Sequence, residues 1–355
     1  MIGHRLRRAR AAAGLSMENL ATQAGVSRNM IKKYEHNKNM PRSDTLLKLA
    51  TALNVRTEYF FRPTDITLEE IKYRTCSNTP SNLLKQIKAD VLEQAERWFE
   101  LHDLWPNAPV KNFEYPLKSG HMIDSLEQIE EVAHQLRNAW SLSNCAIQNL
   151  VDVLESQGLL VIITTIDTNN RFDGLLGSIK KQPVIVVSEH GPGDRQRFTI
   201  AHELGHLILA DRLHEDLDEE KACNRFAGAF LLPAPAIRQR LGTQRKKLEL
   251  QELYLLKQEF GLSMQGCIHR AADLGIITDY HRQQLRRHFR AMDWRTKEPG
   301  PPYPKEQTHH FKQLVYRALA ESILTESKAA ELLAIDLMQF HQMRKMEPHG
   351  ETINQ

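Results

Sequence analysis

The sequence lacks long apolar runs and has little cysteine, glycine or proline. Its longest apolar stretches, such as Pro183–Val187, are far shorter than the roughly 18–20 residues that a membrane-spanning helix needs. With 17 Gly and 15 Pro in 355 residues, a collagen-like chain is excluded. The four cysteines, at positions 76, 145, 223 and 267, form no CxxC pair, which excludes a disulfide-rich miniprotein and predicts reduced thiols. Because no apolar core follows the basic N-terminus, we expect a cytoplasmic protein with no membrane partner.

Positive charge is concentrated at the N-terminus. Residues 1–62 contain twelve Lys/Arg and four Asp/Glu, whereas the remainder contains 35 and 40. The net charge of the whole chain is only +3. A basic module attached to a mildly acidic body predicts that only the module contacts a polyanion. On charge alone, a solvated basic face without a partner is an equal alternative.

Short helices fit residues 2–62, and two of them have the pattern of a DNA-binding unit. Ser16 and Ser27 can each cap a helix, and Gly25 supplies the backbone freedom for a tight turn between the two helices. Arg and Asn can form bidentate hydrogen bonds to base edges, and Lys can neutralise phosphates. The predicted DNA contacts are the outward positions of the second helix: Arg28, Asn29, Lys32 and Lys33.

The stretch LATQAGVSRNMIKKYEHNKNMPRSDTLLKLATALNV resembles the Cro-type, or XRE, helix-turn-helix family in spacing as well as composition. The resemblance covers nearly all of residues 2–60 and implies a transcription regulator that binds a double-stranded DNA operator. A homodimer on half-sites about 34 Å apart is the default arrangement, although the sequence shows no dimer contact. A helical bundle used only for docking is the alternative.

A pair of histidines lies four residues apart in a helix that we expect Asp194 to cap. His202 and His206 therefore project from one helical face, at the spacing of two ligands for one Zn²⁺. Glu203 can reach toward the open coordination position and take a proton from water there. HExxH also occurs by chance, but here it follows a predicted strand and precedes an acidic helix. If the strand Val184–Val187 lies at a sheet edge, it can pair with an extended substrate.

The acidic helix, residues 218–227, is predicted to supply the third ligand, because catalytic zinc sites usually have three protein ligands and one open position. Glu220 is the candidate. Glu219 is its rival, since the helix phase cannot be fixed to one residue from sequence. Asn224, one turn later, can hydrogen-bond a ligating histidine and fix its tautomer. The alternative is that these acidic residues are solvent-exposed at the start of the helix and bind no metal, because acidic side chains stabilise a helix N-terminus on their own.

The runs RQRFTIAHELGHLIL and EEKACNRFAGAFLLP resemble the ImmA/IrrE family of zinc metallopeptidases, and the upstream runs RFDGLLGS and PVIVVSE also fit. The resemblance covers roughly residues 125–240 and implies a compact α/β domain with the two histidines and Glu220 as zinc ligands and Glu203 as base. It also implies a role in stress or mobile-element regulation, with a DNA-binding repressor as the usual kind of substrate. Family members often have Glu where this chain has Ala222, which favours Glu220 over a more C-terminal acid.

Together these features predict a mainly α protein with a small mixed sheet, an α+β fold class. The helix of the connector carries an apolar stripe that includes Val91 and Trp98, and we expect it to pack on the peptidase domain or on a second chain. The C-terminal region has no basic face to support a second DNA-binding module. The predicted domains are the helix-turn-helix bundle at 1–62, a helical connector and loop at 63–124, the peptidase domain at 125–240 and a helical accessory region at 241–355.

Two functions fit these features. In the first, the chain is a transcription regulator fused to a zinc endopeptidase that cleaves a regulatory protein, such as a repressor or an antitoxin-like partner, in a stress or mobile-element response. In the second, it is a non-enzymatic transcription factor whose metallopeptidase-like domain senses a metal, a ligand or a partner. The intact HExxH favours the enzyme, because a sensor needs the ligands but has no need of Glu203.

Overall fold

The predicted fold class is confirmed by a computed structural model, which describes residues 2–62, 66–69, 79–117, 122–166 and 172–346. The described chain is mainly helical, with one small mixed sheet and a 3-10 segment at Thr57–Phe61. Its elements are α1 (Ile2–Ala12), α2 (Met17–Ala24), α3 (Arg28–Glu35), α4 (Ser43–Ala52), α5 (Ser81–Leu104), α6 (Leu126–Ala139), α7 (Leu150–Ser156), β1 (Leu160–Thr164), β2 (Gly174–Ile179), β3 (Gln182–Ser188), α8 (Gly193–Leu209), α9 (Glu219–Leu231), α10 (Ala234–Leu241), α11 (Leu250–Phe260), α12 (Met264–Asp273), α13 (Asp279–Ala291), α14 (His310–Ala320), α15 (Glu326–Leu332) and α16 (Leu337–Arg344).

The sequence predicts no membrane-spanning helix and reduced cysteine thiols. Within the described ranges, no helix combines the length and the apolar character needed to cross a bilayer. Cys145, Cys223 and Cys267 are free thiols, as expected, and the last two are buried. Cys76 lies outside the described residues.

The elements form two compact units. The first comprises the described residues of Met1–Leu68, Pro80–Val110 and Thr308–Gln355, and the second those of Glu69–Thr79 and Lys111–Gln307. The predicted accessory region 241–355 is thereby divided, because α11–α13 belong to the second unit and α14–α16 to the first. Helical periodicity shows that a segment buries a face, but it does not show which distant segment covers that face.

The long helix α5 packs on α1 within the first unit. Ile87 and Val91 of α5 are fully buried. Glu96, also buried, accepts hydrogen bonds from Arg5 and Arg8 of α1, so one carboxylate pairs with two guanidinium groups. The expectation that this face packs on the peptidase domain or on a second chain is therefore wrong for Ile87 and Val91, which are buried within the first unit. Of the two stripe residues, Val91 is buried as predicted and Trp98 is only half-buried. The helix that packs on α5 is α1 of the N-terminal bundle.

The three strands form a sheet in the order β1-β3-β2. β3 pairs with β1 in parallel and with β2 in antiparallel register, so that Val184 is opposite Leu160 on one side and Gly177 on the other. The condition for Val184–Val187 to pair with an extended substrate, a position at the sheet edge, is not met, because both sides of β3 are hydrogen-bonded to neighbouring strands. Its valine-rich composition instead reflects a central strand that is buried on both faces.

The start of α8 also differs from the prediction. The helix begins at Gly193, with Pro192 in the capping position, so Asp194 lies inside the first turn. Asp194 is buried, and its carboxylate lies 3.4 Å from Nζ of Lys257 on α11. Burial raises the pKa of Asp194, and the nearby Lys257 opposes that shift. An acidic residue after Gly-Pro-Gly has the sequence pattern of a helix cap. Only the tertiary structure shows that Asp194 instead pairs with the buried Lys257.

We expect Glu96→Ala to destabilise the first unit by about 3–5 kcal/mol, because the substitution leaves two buried guanidinium groups without their carboxylate. Urea unfolding followed by circular dichroism measures the change. The matched control is Glu321→Ala, which removes an exposed pair with Arg317 on α14 and should cost less than about 1 kcal/mol. Equal losses in the two variants would show that Glu96 does not hold α5 on α1.

Candidate functional site

Close packing of α8 against α9 brings the candidate metal ligands of the two helices together. A Cβ atom at Gly205 would lie 3.1 Å from Cδ1 of Phe226 and 3.3 Å from Cα of Cys223, so a larger residue at this position would force the helices apart. Both contacted residues are fully buried. Because Gly205 lies between the two histidines of α8, this contact brings the N-terminal turn of α9 close to their rings.

Three side chains converge at this contact. The Nε2 atoms of His202 and His206 are 3.2 Å apart. Glu220 places Oε2 3.4 Å from Nε2 of His202 and Oε1 3.6 Å from Nε2 of His206. Candidate ligand atoms of all three residues lie within 4.8 Å of one another. In the part of the chain that the structure describes, no other group of His, Cys, Asp and Glu side chains meets this criterion, including the acidic loop at 211–216.

The three side chains fit a tetrahedral zinc ion. Ligands about 2.0–2.1 Å from zinc in a tetrahedral arrangement lie about 3.4 Å from one another, close to the distances between the three residues. Oε1 of Glu220 is buried and forms no hydrogen bond with any described residue. Two imidazole nitrogens and a carboxylate that face one another without protons repel, and a cation between them removes that repulsion.

The outer nitrogens of both rings have their own partners on α9. Oδ1 of Asn224 lies 3.1 Å from Nδ1 of His202, and Oε1 of Glu219 lies 2.8 Å from Nδ1 of His206. Amide and carboxylate oxygens accept hydrogen bonds, so each ring donates from Nδ1 and keeps the lone pair of Nε2 toward Glu220. Glu219 therefore lies behind a ring, whereas Glu220 lies between the rings. Consecutive helical residues point about 100° apart, and the sequence could not fix this phase.

The protonation state of the site suits metal binding. Burial lowers the pKa of His202, and the neighbouring His206 lowers it further, so its imidazole is neutral near pH 7. Neutral imidazole is the form that coordinates a metal ion. Glu203 is fully buried on the same helix, next to the first histidine. The site thus has a candidate set of metal ligands and, on the same helix, a carboxylate that is shielded from bulk water.

One buried ion pair that holds α8 in place was missed by sequence reasoning. Arg197 of α8 is fully buried and pairs with Glu306. It also donates a hydrogen bond to the carbonyl oxygen of Ile147 at 2.8 Å, while Glu306 accepts one from the backbone N–H of Leu150 at 2.8 Å. The two charged residues are 109 positions apart. No local pattern links them, so the sequence carried no signal for this support.

The helix predicted to contact DNA belongs to the first unit. Gly25 adopts a left-handed conformation with φ 67° between α2 and α3, and Ser27 caps α3 through a hydrogen bond from the N–H of Met30 at 3.2 Å. The buried residues of α3 include Ile31 and Tyr34. Its four candidate DNA contacts lie away from that core, three of them exposed and the last half-buried: Arg28, Asn29, Lys32 and Lys33.

The fold and the site define a helix-turn-helix module joined to a metallopeptidase-type domain. The family model "Helix-turn-helix" (HTH_3) matches residues 6–60, and the model "IrrE N-terminal-like domain" (Peptidase_M78) matches residues 154–272. The chain therefore combines an XRE-type helix-turn-helix domain with an IrrE-like domain, which confirms the resemblance seen in the sequence. The second match reaches α12, beyond the predicted limit of 240.

Three relatives are similar to separate parts of the chain. "Radiation response metalloprotease IrrE" of Deinococcus radiodurans is 38% identical over 71 residues, which cover 16% of this chain and 22% of the relative. "HTH-type transcriptional regulator ImmR" of Bacillus subtilis is 33% identical over 66 residues, 19% of this chain and 52% of the relative. An "Uncharacterized transcriptional regulator in ATPase CF(0) region" of Rhodospirillum rubrum is 42% identical over 60 residues, 17% of this chain and 56% of the relative. The chain thus spans about a fifth to just over half of these relatives.

We expect one Zn²⁺ per chain, with its affinity graded by the position of each side chain. His202→Ala and Glu220→Ala should remove most bound metal, because each deletes a ligand atom. Glu219→Ala and Asn224→Ala should weaken binding only about 10–100-fold, because they release the orientation of a ring. Elemental analysis and competition with a chelator measure both effects, and His214→Ala, in an exposed loop, is the control. A larger loss in the Glu219 variant than in the Glu220 variant would exchange their roles.

We expect two kinds of DNA-binding defect from α3. Asn29→Ala should reduce the preference for the specific site by about 1–3 kcal/mol, because it removes a base contact. Lys33→Ala should weaken binding to all DNA and lower the slope of its salt dependence by about one, because it removes a phosphate contact. Fluorescence anisotropy of the full chain, with a duplex selected from a random pool and with an unselected duplex, measures both. Lys48→Ala, on α4, is the control, and DNA affinity that does not depend on salt would contradict this interface.

Proposed function

We propose that this protein is a cytoplasmic DNA-binding transcription regulator that also acts as a zinc-dependent endopeptidase on a regulatory protein. The observation that carries the proposal is the convergence of His202, His206 and Glu220, together with the buried Glu203, which follows His202 on the same helix. A structural metal site needs only ligands, whereas the proposed site combines three candidate ligands with a buried acid on the same helix. The matches to a metalloprotease and to transcription regulators support the two halves separately.

The proposed chemistry is hydrolysis of a peptide bond. A bound zinc ion would lower the pKa of water at its open position to about 7 and polarise a peptide carbonyl. Glu203, whose carboxylate lies in a water-poor environment, accepts a proton from the attacking water and returns it to the nitrogen of the departing amine. Asn224 and Glu219 keep the two rings in the required tautomer through their Nδ1 atoms.

The DNA-binding module, residues 1–62, would bring the peptidase domain to an operator. Residues 1–62 carry a net charge of +8, and α3 exposes an Arg, an Asn and a Lys. Such a module binds the phosphate backbone and contacts base edges in the major groove. We propose a double-stranded DNA operator as one partner and a repressor or antitoxin-like protein as the substrate. Placed at an operator, the peptidase domain would meet a substrate that binds nearby DNA.

The test of the enzymatic function is Glu203→Gln. The zinc-loaded full chain is incubated with DNA-binding regulators encoded beside its gene, and cleavage products are identified by mass spectrometry. Wild type should cleave one of them, and a chelator should stop the reaction. Glu203→Gln should reduce cleavage by at least about 100-fold, because general-base catalysis contributes that much, while zinc content and DNA affinity stay unchanged. Glu215→Gln, in the exposed loop, is the matched control.

The non-enzymatic sensor is the alternative outcome. A sensor depends on the ligands and not on the base, so Glu203→Gln would leave regulation in the cell intact while His202→Ala would abolish it. That result would overturn the enzymatic proposal. Loss of regulation in both variants, together with loss of cleavage, would support it.

A further inference from the structure

A small cavity in the first unit is lined by more positive than negative charge. Its volume is about 110 Å³, and it lies where three parts of the chain meet: the segment that follows α4, the second half of α5 and the turn after α15. The charged residues of its lining are three arginines and two glutamates: Arg56, Arg62, Arg97, Glu93 and Glu331. The candidate metal centre uses none of them, and they are not among the predicted DNA contacts. The proposed function therefore leaves this concentration of arginines unexplained.

Neighbouring arginines repel each other at this cavity. Burial lowers the pKa of Arg97, the carboxylate of Glu93 opposes that shift, and the positive charge of Arg62 adds to it. Arg62 forms an ion pair with Glu331 at 3.1 Å. Arg56 instead donates to a neutral acceptor, a backbone carbonyl oxygen of the turn after α15, at 3.0 Å. The lining thus keeps an excess of positive charge, which favours an anion in the cavity.

Several donor nitrogens of these arginines have no partner within the described chain. Nε and Nη1 of Arg62 and Nε of Arg97 are buried and form no hydrogen bond with any described residue. Buried polar groups almost always have a hydrogen-bond partner, because an unsatisfied donor loses its hydration without compensation. An oxyanion supplies several acceptor oxygens, which guanidinium groups bind through short, charge-assisted hydrogen bonds.

The size of the cavity and the directions of its donors indicate the kind of anion. A volume of 110 Å³ corresponds to about four water molecules and is well below the roughly 300–1,000 Å³ of pockets for drug-sized ligands. A single oxyanion group fits, whereas a whole nucleotide does not. The arginines come from separate segments, and a tetrahedral phosphate presents acceptor oxygens in three dimensions, whereas a carboxylate presents them in one plane. The guanidinium fork also matches the geometry of phosphate.

We propose that this cavity binds one phosphate group between Arg56, Arg62 and Arg97. Arg62 is already held in position, because its Cζ lies 5.8 Å from the ring centroid of the buried Tyr59 and its Nη2 pairs with Glu331. A donor that is fixed before the ligand arrives loses little conformational entropy on binding. The bound phosphate joins the N-terminal bundle, α5 and α15. It therefore stabilises the first unit, which contains the predicted DNA-binding module.

The test is calorimetric titration of the full chain with inorganic phosphate, at an ionic strength held constant with chloride. Wild type should bind one phosphate in this cavity. Arg97→Gln should raise the dissociation constant at least about 10-fold, because a hydrogen bond to a charged ligand is lost. Glu93→Gln should instead lower it about 3–10-fold, because it removes a like charge beside the ligand. Arg317→Gln, at an exposed arginine of α14, is the matched control and should bind as wild type does.

The opposite signs of the two effects separate binding from folding. A misfolded variant cannot bind phosphate more tightly, so Glu93→Gln keeps the test decisive even if Arg97→Gln is unstable. Phosphate should also raise the melting temperature of wild type but not that of Arg97→Gln. Phosphate held at a zinc ion in the second unit would respond to neither substitution. None of these measurements depends on peptidase activity, so the proposed function is tested separately.

A comparison of inorganic phosphate with glycerol phosphate distinguishes the sources of the ligand. Binding of both supports a phosphorylated metabolite, and binding of inorganic phosphate alone supports the free ion. Absence of binding at millimolar phosphate, equal losses in the Arg97 and Arg317 variants, or weaker binding by Glu93→Gln would overturn the proposal. So would a lower affinity of Arg97→Gln for unselected duplex DNA in phosphate-free buffer, because the arginines would then contact the DNA backbone.

Discussion

The close contact between α8 and α9 at Gly205 is the constraint on which the candidate metal centre depends. Two ligands on one helix cannot close a site, because a third must come from elsewhere in the chain. The absence of a side chain at Gly205 lets Phe226 and Cys223 approach the backbone of α8. This approach puts Glu220 between the histidine rings and Glu219 behind one of them. The missing side chain at Gly205 therefore allows α9 to come close enough for Glu220 to lie between the two rings.

Buried ion pairs with one carboxylate and several donors hold the surrounding elements in place. Glu96 accepts hydrogen bonds from two arginines of α1, and Glu306 joins Arg197 of α8 to the start of α7. Such pairs add little net stability compared with apolar packing, but removal of one partner leaves a buried charge. They consequently fix which elements pack together, and they do so over long distances in sequence.

Helices α15 and α16 repeat the local backbone of α2 and α3: Thr325 and Asp336 cap them as Ser16 and Ser27 cap α2 and α3. The outward-facing side chains of the two pairs differ. The capping residues, the positive-φ turn residues Gly25 and Ala334, and the buried residues Ile31 and Phe340 occupy equivalent positions. These positions satisfy backbone hydrogen bonds and fill the core of a three-helix unit. The outward-facing positions neither cap a helix nor fill the core, so their residue types can differ. In α3 they are Arg and Asn, and in α16 they are Leu337 and Met338.

The sequence by itself determined the local features of this protein: the caps at Ser16 and Ser27, the helix that carries His202 and His206, and the mainly helical fold with a small sheet. Each follows from spacing within a few residues, where one helical turn or one strand fixes the geometry. Only the tertiary structure decided that β3 is central, that α5 packs on α1, and that Glu220 and Glu219 take different places around the rings. These outcomes depend on contacts between segments far apart in sequence and on the rotation of one helix about its axis, and neither leaves a periodic trace in the chain.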